Sequence, residues 1–325
     1  MELRSVLTWL LVASACSCAA PRWSGDAPSG LPAGAEVRSL SGEALYPPPL
    51  ADDVREKRER ALAEAERALD EHRGDPLRWV AVGRRLASLG RYRDAVHVYG
   101  RAIGRFGDEV HLLRHRGHRW ITLRQPTLAA AELERAAELA RDLPDEPEPG
   151  VDAVVDSEGR VVVTDTLKQN IYYHLALAQY LLGDYARSLG NWRECMRWST
   201  NPDTQCAAAH WQAMTLAKLG RFEEIAKLVE PITADLPVVE YHAYHRLCLM
   251  YKGELEPERV LASVAAPESN GGATAVDFAT LGYGVANWLA CHGETERARA
   301  IFERVAAVEN WAAFGRIASE YELAR

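Results

Sequence analysis

Residues 75–106 read DPLRWVAVGRRLASLGRYRDAVHVYGRAIGRF, and residues 109–140 repeat their pattern 34 positions later. Each stretch carries apolar residues at helical spacing, a short turn, and a second apolar stripe at helical spacing. Five of seven key positions keep their character: Trp79, Gly83, Ala95, Tyr99 and Ala102 correspond to Leu113, Gly117, Ala129, Leu133 and Ala136. The pattern predicts paired helices, with small residues where two helices approach closely and large residues beside them.

The turn between the two helices of a unit recurs along the rest of the chain. The turn positions are Gly90, Arg124, Gly183, Gly220, Gly253 and Gly293, with spacings of 34, 59, 37, 33 and 40 residues. We therefore predict six repeat units, of which the fifth is degenerate because Pro257 falls in its second half. Units of this kind bury their apolar sides only against their neighbours, so several are needed for stability.

The two ends of the array carry sequences that predict capping helices. A charged helix is expected from Asp52 to about Arg73. Beyond the last unit, a single apolar stripe is formed by Trp311, Phe314, Ile317 and Tyr321. Such helices cover the apolar surface that the terminal repeats of a solenoid would otherwise expose. The repeat domain is therefore expected to span residues 52–325.

The 34-residue period and these positions resemble the tetratricopeptide repeat, strongly over residues 75–142 and moderately over 168–310. The resemblance implies an all-α fold, a right-handed α-solenoid of antiparallel helix pairs, about six in number. It further implies that the concave face binds peptides or partner proteins, and it implies no chemistry.

One spacing is 25 residues too long, and the excess lies in an insertion at residues 142–166. Its prolines stop the preceding helix, and valine pairs flank a turn at residues 156–159, which predicts a small β-hairpin. The insertion is either a binding loop or a surface loop that the fold merely tolerates.

The N-terminal residues 1–20 have the layout of a secretory signal: Arg4, a short apolar run, and small residues with cysteines. Ala15-Cys16 resembles a bacterial lipobox, which predicts lipid attachment at Cys16, with Cys18 as the alternative. Soluble export after ordinary cleavage and an uncleaved anchor are the competing interpretations. Residues 21–51 are rich in proline and glycine and predict a solvated linker between membrane and domain. The expected location is the cell envelope.

Composition narrows the class of protein. The 325 residues carry a net charge of −8, with 46 acidic against 38 basic residues, which disfavours binding to nucleic acid. No phosphate-binding loop, H-E-x-x-H, G-x-S-x-G or C-x-x-C motif occurs. We therefore predict a protein without catalytic residues, cofactor or metal.

Two groups of residues resemble chemical sites. His111, His115 and His118 lie on one helical face, but arginines crowd the same turns and no carboxylate nearby in sequence is placed to orient the rings. We favour a polar face over a metal site. Cys195 and Cys206 could form a disulfide bond in an oxidising compartment, although a free core thiol is the preferred interpretation for Cys195.

The resemblance to tetratricopeptide repeats implies that fixed positions of each first helix line the concave face, and the repeat register gives the corresponding residues. They are Arg84, Arg114, His118, Ile121, Tyr173, Leu177, Tyr180, His210, Met214, Lys218, Tyr251, Tyr283 and Asn287. Tyrosine, methionine, arginine and histidine suit a binding surface, and the basic residues suit an acidic peptide or a terminal carboxylate. The alternative is that several of them only pack between helices. We expect an interaction or scaffolding module; the second hypothesis is an envelope enzyme subunit with a site formed by the 142–166 insertion.

Overall fold

The computed structural model describes Trp23 and residues 30–149, 154–155, 161–162, 165–264 and 273–325. Helices dominate these residues, as the periodicity predicts. They are α1 (Asp52–Glu71), α2 (Pro76–Ser88), α3 (Tyr92–Phe106), α4 (Val110–Thr122), α5 (Pro126–Ala140), α6 (Leu167–Leu181), α7 (Tyr185–Trp198), α8 (Pro202–Lys218), α9 (Phe222–Val229), α10 (His242–Tyr251), α11 (Pro257–Ala262), α12 (Ala273–Cys291), α13 (Thr295–Ala306) and α14 (Phe314–Leu323). The six predicted units are the consecutive pairs from α2/α3 to α12/α13, and consecutive helices pack on one another. The predicted all-α repeat fold is confirmed.

All six predicted turn positions adopt the left-handed backbone conformation. Their φ angles lie between 58° and 88°, and the only non-glycine among the described residues with positive φ is Arg124, at 58°. In each turn, the amide of the next residue donates to a carbonyl five positions earlier, as from Arg91 to Leu86 (3.0 Å) and from Gln125 to Trp120 (2.8 Å). These bonds are those of the Schellman motif, which ends a helix and reverses the chain. The turn itself therefore explains why glycine recurs at five of these six positions, since its left-handed conformation favours a residue without a side chain.

The small residues inside the repeats lie where two helices of a unit touch. A methyl group added to Gly83 would overlap the ring of Tyr99, and one added to Gly117 would lie 2.6 Å from Cγ of Leu133. Because Gly83 of α2 and Gly117 of α4 have no side chain, they leave room for the large residue on the next helix. This confirms the prediction that small residues pack against large ones within a unit.

The predicted solvated linker is wrong for residues 30–50. This segment packs against the repeats and forms an antiparallel hairpin of β1 (Val37–Arg38) and β2 (Ala44–Leu45). Leu45 is buried in a cluster with Tyr92, Leu123 and Trp311. Trp23, earlier in the predicted linker, is also buried, with its ring edge-on to Trp79. A few apolar residues suffice to hold this segment on the repeats, because each of them fills a gap between helices of the array.

The insertion contains the predicted hairpin. Strand β3 (Val154–Val155) pairs in antiparallel register with β4 (Val161–Val162). The predicted turn at 156–159 lies outside the described residues, as do residues 1–22 with the predicted signal sequence and lipidated cysteines. None of the helices in the described parts of the chain combines the length and the hydropathy needed to cross a bilayer.

The C-terminal helix α14 caps the last unit, as predicted, by packing on α12 and α13. It also reaches the opposite end of the array. Glu320 forms an ion pair with Arg124 in the α4–α5 turn (2.7 Å), and Glu322 forms one with Lys218 at the end of α8 (2.8 Å). Just before α14, the ring of Trp311 lies edge-on to that of Tyr92 on α3, with 5.1 Å between ring centroids. The C-terminal helix and the residues just before it therefore contact the first, second and fourth units as well as the last one.

Candidate functional site

A cavity of about 870 Å³ remains inside the solenoid, and we call it the inner pocket. Helices α2, α3 and α4 form one wall, α6 lies behind, and residues around the starts of α10 and α12 form the opposite wall. Phe314 of α14 closes one side. The polar and aromatic lining residues are Arg84, Ser88, Tyr99, Arg114, His115, His118, Arg119, Glu148, Asp165, Gln169, Asn170, Tyr173, His174, Glu240, Tyr241, Tyr244, Asp277, Thr280 and Phe314.

Three arginines give the first wall a positive charge. Arg84 donates a hydrogen bond to the backbone carbonyl of Pro149, and Nε of Arg114 lies 3.2 Å from the Glu148 carboxylate. Arg119 is half-buried with its guanidinium over the ring of Tyr92, 5.4 Å from the centroid. Among the described residues, Arg119 has no ion pair and its side chain makes no hydrogen bond. Burial and the nearby charge of Arg114 lower the pKa of Arg84, and the charge of Glu148 offsets part of this effect.

The insertion contributes a buried carboxylate to this wall. Glu148 contacts Arg114, Nε2 of His115 (2.9 Å) and the side-chain amide of Asn170 (3.2 Å). Burial alone would raise the pKa of Glu148, but Arg114 and His115 outweigh it and lower that pKa to about 2. Glu148 therefore stays ionised and fastens the beginning of the insertion to α4 and α6.

The three histidines of α4 have separate partners. His111 lies between Glu109 (2.7 Å) and Glu146 (2.9 Å), His115 contacts Glu148, and His118 packs on another histidine ring. The expectation that no carboxylate nearby in sequence orients these rings is wrong for His111, because Glu109 lies only two residues before it. No group of three or more histidine, cysteine, aspartate or glutamate side chains is arranged to hold a metal ion within the described residues.

His118 and His174 form a pair at the floor of the pocket. Their ring centroids are 4.1 Å apart, and the ring of Phe314 packs against both at 5.3 and 5.7 Å. Nδ1 of His174 lies 2.6 Å from the backbone carbonyl oxygen of Asn170, which it binds as a donor. Burial, together with the neighbouring arginines, holds the pKa of both rings well below the usual value. Both imidazoles are therefore neutral and add no charge to the arginine wall.

The opposite wall is acidic and aromatic. The hydroxyl of Tyr173 accepts a hydrogen bond from Nε1 of Trp211 (2.7 Å) and lies 3.2 Å from the hydroxyl of Tyr244. Asp165, at the end of the insertion, interacts with the Tyr241 hydroxyl, and burial raises the pKa of this carboxyl group. The pocket thus has a cationic side and an anionic side, with tyrosines between them.

The predicted groove residues divide into three sets. Arg84, Arg114, His118 and Tyr173 line the inner pocket, whereas His210 and Tyr283 line a smaller adjoining cavity of about 340 Å³ on the other side of Phe314. The others lie in packing or ion pairs: Ile121, Leu177, Tyr180, Met214, Lys218, Tyr251 and Asn287.

Several of these packed residues form a polar network rather than a free surface. The hydroxyl of Tyr180 donates to Oδ1 of Asn287 (3.0 Å) and accepts from the hydroxyl of Tyr283 (2.8 Å). The hydroxyl of Tyr251 lies 3.0 Å from Nδ1 of His210. The sequence register identified inward-facing positions, but α14 and the neighbouring helices cover many of them.

Sequence reasoning missed Arg119, Tyr99, His174, Glu148 and Phe314. Phe314 and Glu148 are brought to the pocket by long-range packing that no local pattern encodes. Arg119 could have been predicted from the sequence. The 13 residues of α4 contain three arginines and three histidines, which is more than a solvent-exposed helix face needs.

The cysteines of the described residues are free. Cys195, Cys206 and Cys248 are buried, Cys291 is half-buried, and none of the four forms a disulfide bond. The preferred interpretation of Cys195 as a free core thiol is confirmed. Burial raises the pKa of its thiol, so it has little thiolate character.

The fold and the pocket define the class: a tetratricopeptide-like helical-repeat protein with an internal cavity. The chain is similar in structure to YrrB, described as a TPR protein with an unusual peptide-binding site (13% identity, 75% of this chain and 91% of that chain, TM-score 0.40). It is also similar to a tetratricopeptide repeat protein from Parabacteroides merdae (14%, 83% and 95%, TM-score 0.46) and to the P58(IPK) TPR domain (16%, 80% and 68%, TM-score 0.31). No protein-family model and no curated protein matches the sequence. At these TM-scores no functional property passes from those proteins to this chain.

Proposed function

We propose that this protein is a non-catalytic interaction module of the cell envelope that binds a short segment of a partner protein in the inner pocket. One observation carries the proposal: four of the predicted groove residues, Arg84, Arg114, His118 and Tyr173, line one cavity. A concave, partly enclosed site with a few convergent polar groups is the usual form of a binding site. The arginine wall favours a segment that carries negative charge.

The position of α14 limits what the partner can be. A long open groove would accept a long helix, but Glu320 and Glu322 anchor α14 to the second and fourth units, and Phe314 of α14 lines the inner pocket. The inner pocket is larger than the adjoining cavity, and its volume of about 870 Å³ accommodates a few residues of an extended chain. The proposed ligand is therefore a short segment or a chain end.

Site-specific photocrosslinking in intact cells tests this proposal. A photoreactive residue at Val276, which lines the pocket and is 40% exposed, should capture a partner. The same residue at Leu182, which is 46% exposed in the α6–α7 turn and does not line the pocket, is the matched control. Capture from position 276 that is lost in Arg119→Glu supports the proposal. Equal capture from both positions, or capture unaffected by Arg119→Glu, contradicts it.

Export and lipid attachment are part of the same proposal. They rest on the sequence layout around Cys16, and a diacylglycerol with further acyl chains would hold the domain to a membrane. Metabolic labelling with a clickable fatty acid tests this directly. We expect labelling of the full chain that is lost in Cys16→Ser and kept in Cys18→Ser. Labelling that is lost in Cys18→Ser and kept in Cys16→Ser would assign the lipid to Cys18. No labelling of the full chain would contradict the lipid anchor.

A second candidate, a catalytic subunit, has one observation in its favour. The two ends of the insertion supply Glu148 and Asp165 to the pocket, and their surroundings shift the pKa values of the two carboxyl groups in opposite directions. Such divergence is found in acid–base pairs. A panel of chromogenic esters, phosphate esters and glycosides, assayed with the wild type and Asp165→Asn, tests it. Turnover that disappears in Asp165→Asn would favour this candidate.

A further inference from the structure

The arginine wall carries more positive charge than the carboxylate beside it compensates, because Arg84, Arg114 and Arg119 share the ionised Glu148. Glu148 contacts Arg114 and its charge also acts on Arg84, but neither Arg84 nor Arg119 forms an ion pair with a carboxylate among the residues that the structure describes. The side chain of Arg84 donates to the Pro149 carbonyl, and that of Arg119 lies over the face of Tyr92. Burial lowers the pKa of both, the charge of Arg114 adds to this for both, and the charge of Arg84 adds to it for Arg119. Holding two such cations near one another costs free energy that a bound anion would offset.

A neutral hydrogen-bond donor lines the same pocket as the two arginines. Tyr99 lines the pocket, and its hydroxyl interacts electrostatically with both Arg84 and Arg119. Burial raises the pKa of Tyr99 to about 12. Its hydroxyl therefore keeps its proton at neutral pH and can donate to an oxygen of a ligand.

We infer that Arg84, Arg119 and the hydroxyl of Tyr99 form a binding site for a phosphate group, as a phosphate ester or free phosphate. Three arginines beside the single charge of Glu148 leave two positive charges, which match the two negative charges of the group, and Arg84, Arg119 and the Tyr99 hydroxyl offer donors for its non-bridging oxygens. A carboxylate has one charge and two oxygens, and would leave one positive charge of this wall uncompensated. This inference names the anion of the proposed pocket ligand, and it rests on the proposed function where the phosphate is carried by a partner segment.

Titration calorimetry on the full-length chain in mild detergent and phosphate-free buffer tests the site. The probes are inorganic phosphate, acetate, a tripeptide with a central phosphoserine, and the same tripeptide with glutamate. We expect inorganic phosphate to bind at one site and acetate at least about tenfold more weakly. Tighter binding of the phosphoserine peptide than of inorganic phosphate would assign the phosphate to a partner segment, whereas the reverse would assign it to a free small molecule.

Three variants locate the binding. Arg119→Gln should weaken phosphate binding by about tenfold or more, because it removes a charge-assisted contact. Tyr99→Phe keeps the ring on Gly83, removes only the hydroxyl, and should weaken binding by a few-fold. Arg85→Gln, an exposed neighbour on α2, is the control and should bind like the wild type.

Three results would overturn the inference: no heat of binding with millimolar phosphate, acetate binding as tightly as phosphate, or unchanged binding in both Arg119→Gln and Tyr99→Phe. The two proposals fail separately. Partner capture from Val276 without phosphate binding would leave the interaction module standing. Phosphate binding without capture would leave a small-molecule site.

Discussion

Arg124 and Glu320 are 196 residues apart in the sequence and form a buried, bidentate ion pair. Nη2 of Arg124 also donates to the carbonyl of Trp311 (2.9 Å), and Glu320 additionally accepts from Arg316 (3.3 Å). Arg124 therefore has two roles: its positive φ forms the second Schellman turn, and its side chain binds the C-terminal helix. This contact joins the C-terminal helix to the turn of the second unit, and Phe314 of the same helix lines the inner pocket.

Removing one partner of this pair should destabilise the fold strongly. Glu320→Ala leaves the buried Arg124 without its carboxylate, and we expect a loss of about 3–5 kcal/mol in the free energy of unfolding. Urea denaturation followed by circular dichroism measures this loss. Glu296→Ala, at an exposed position on α13, is the control and should change the value by less than about 0.5 kcal/mol.

The double variant Arg124→Met with Glu320→Leu separates charge from packing. Because an apolar pair of similar volume avoids the desolvation penalty, it should recover most of the stability that Glu320→Ala loses. A double variant as unstable as the single one would argue against an electrostatic origin.

Gly83 should be intolerant of even a methyl group. In Gly83→Ala the new Cβ would overlap the Tyr99 ring, so α2 and α3 must separate, at a cost of about 1–3 kcal/mol. Gly190→Ala is the matched control, because position 190 lies inside α7 with nothing near the added group. It should stabilise the protein by about 0.5–1 kcal/mol. Equal effects of the two substitutions on the melting temperature would contradict this account of the repeat.

Acid should weaken the fold from about pH 6.5 downward. Burial lowers the pKa of His115 to about 4 and of His210 to about 3, so the unfolded chain binds these protons first as the pH falls. Stability is therefore fully present above about pH 6.5 and is lost toward pH 4, with about 1.4 kcal/mol per pH unit for each such histidine. Glu148 adds a further loss below its ordinary pKa of 4.5.

Urea denaturation at pH 7, 6 and 5 measures this dependence. His210→Gln removes one of the titrating groups. Its free energy of unfolding should therefore fall with pH by about 1.4 kcal/mol per pH unit less than that of the wild type. A slope identical to that of the wild type would show that His210 is protonated alike in both states.

The thiols provide a further check of the core. Because Cys195, Cys206 and Cys248 are buried and free, a thiol reagent should label three more cysteines after denaturation than in the native state, without any reductant. A smaller difference would indicate a disulfide bond or a more open core.

The repeat array could be predicted from the sequence because its signals are local. Gly90 and Gly183 mark turns that need positive φ, and Gly83 marks a close approach within one unit. The burial of residues 30–50 could not be predicted, because it depends on gaps between α3, the end of α4 and the residues before α14.

The site was predictable only in part. Helical register placed Arg114 and Tyr173 on the inner face, but the contacts of Arg124 with Glu320 and of Phe314 with His118 join residues almost 200 positions apart. Neither pair has a periodic signature, because an arginine in a turn and a phenylalanine in a capping helix have ordinary local explanations.

Zero-length carbodiimide crosslinking tests the docking of the C-terminal helix on the fourth unit most directly. Nζ of Lys218 lies 2.8 Å from the Glu322 carboxylate, so activation of that carboxylate should yield an amide bond between the two side chains. Peptide mass spectrometry identifies the linked residues. We predict a Lys218–Glu322 crosslink that is absent in Glu322→Gln. A Lys218 that is linked to other carboxylates, or remains unlinked while exposed pairs react, would contradict the docking of the last helix across the interior.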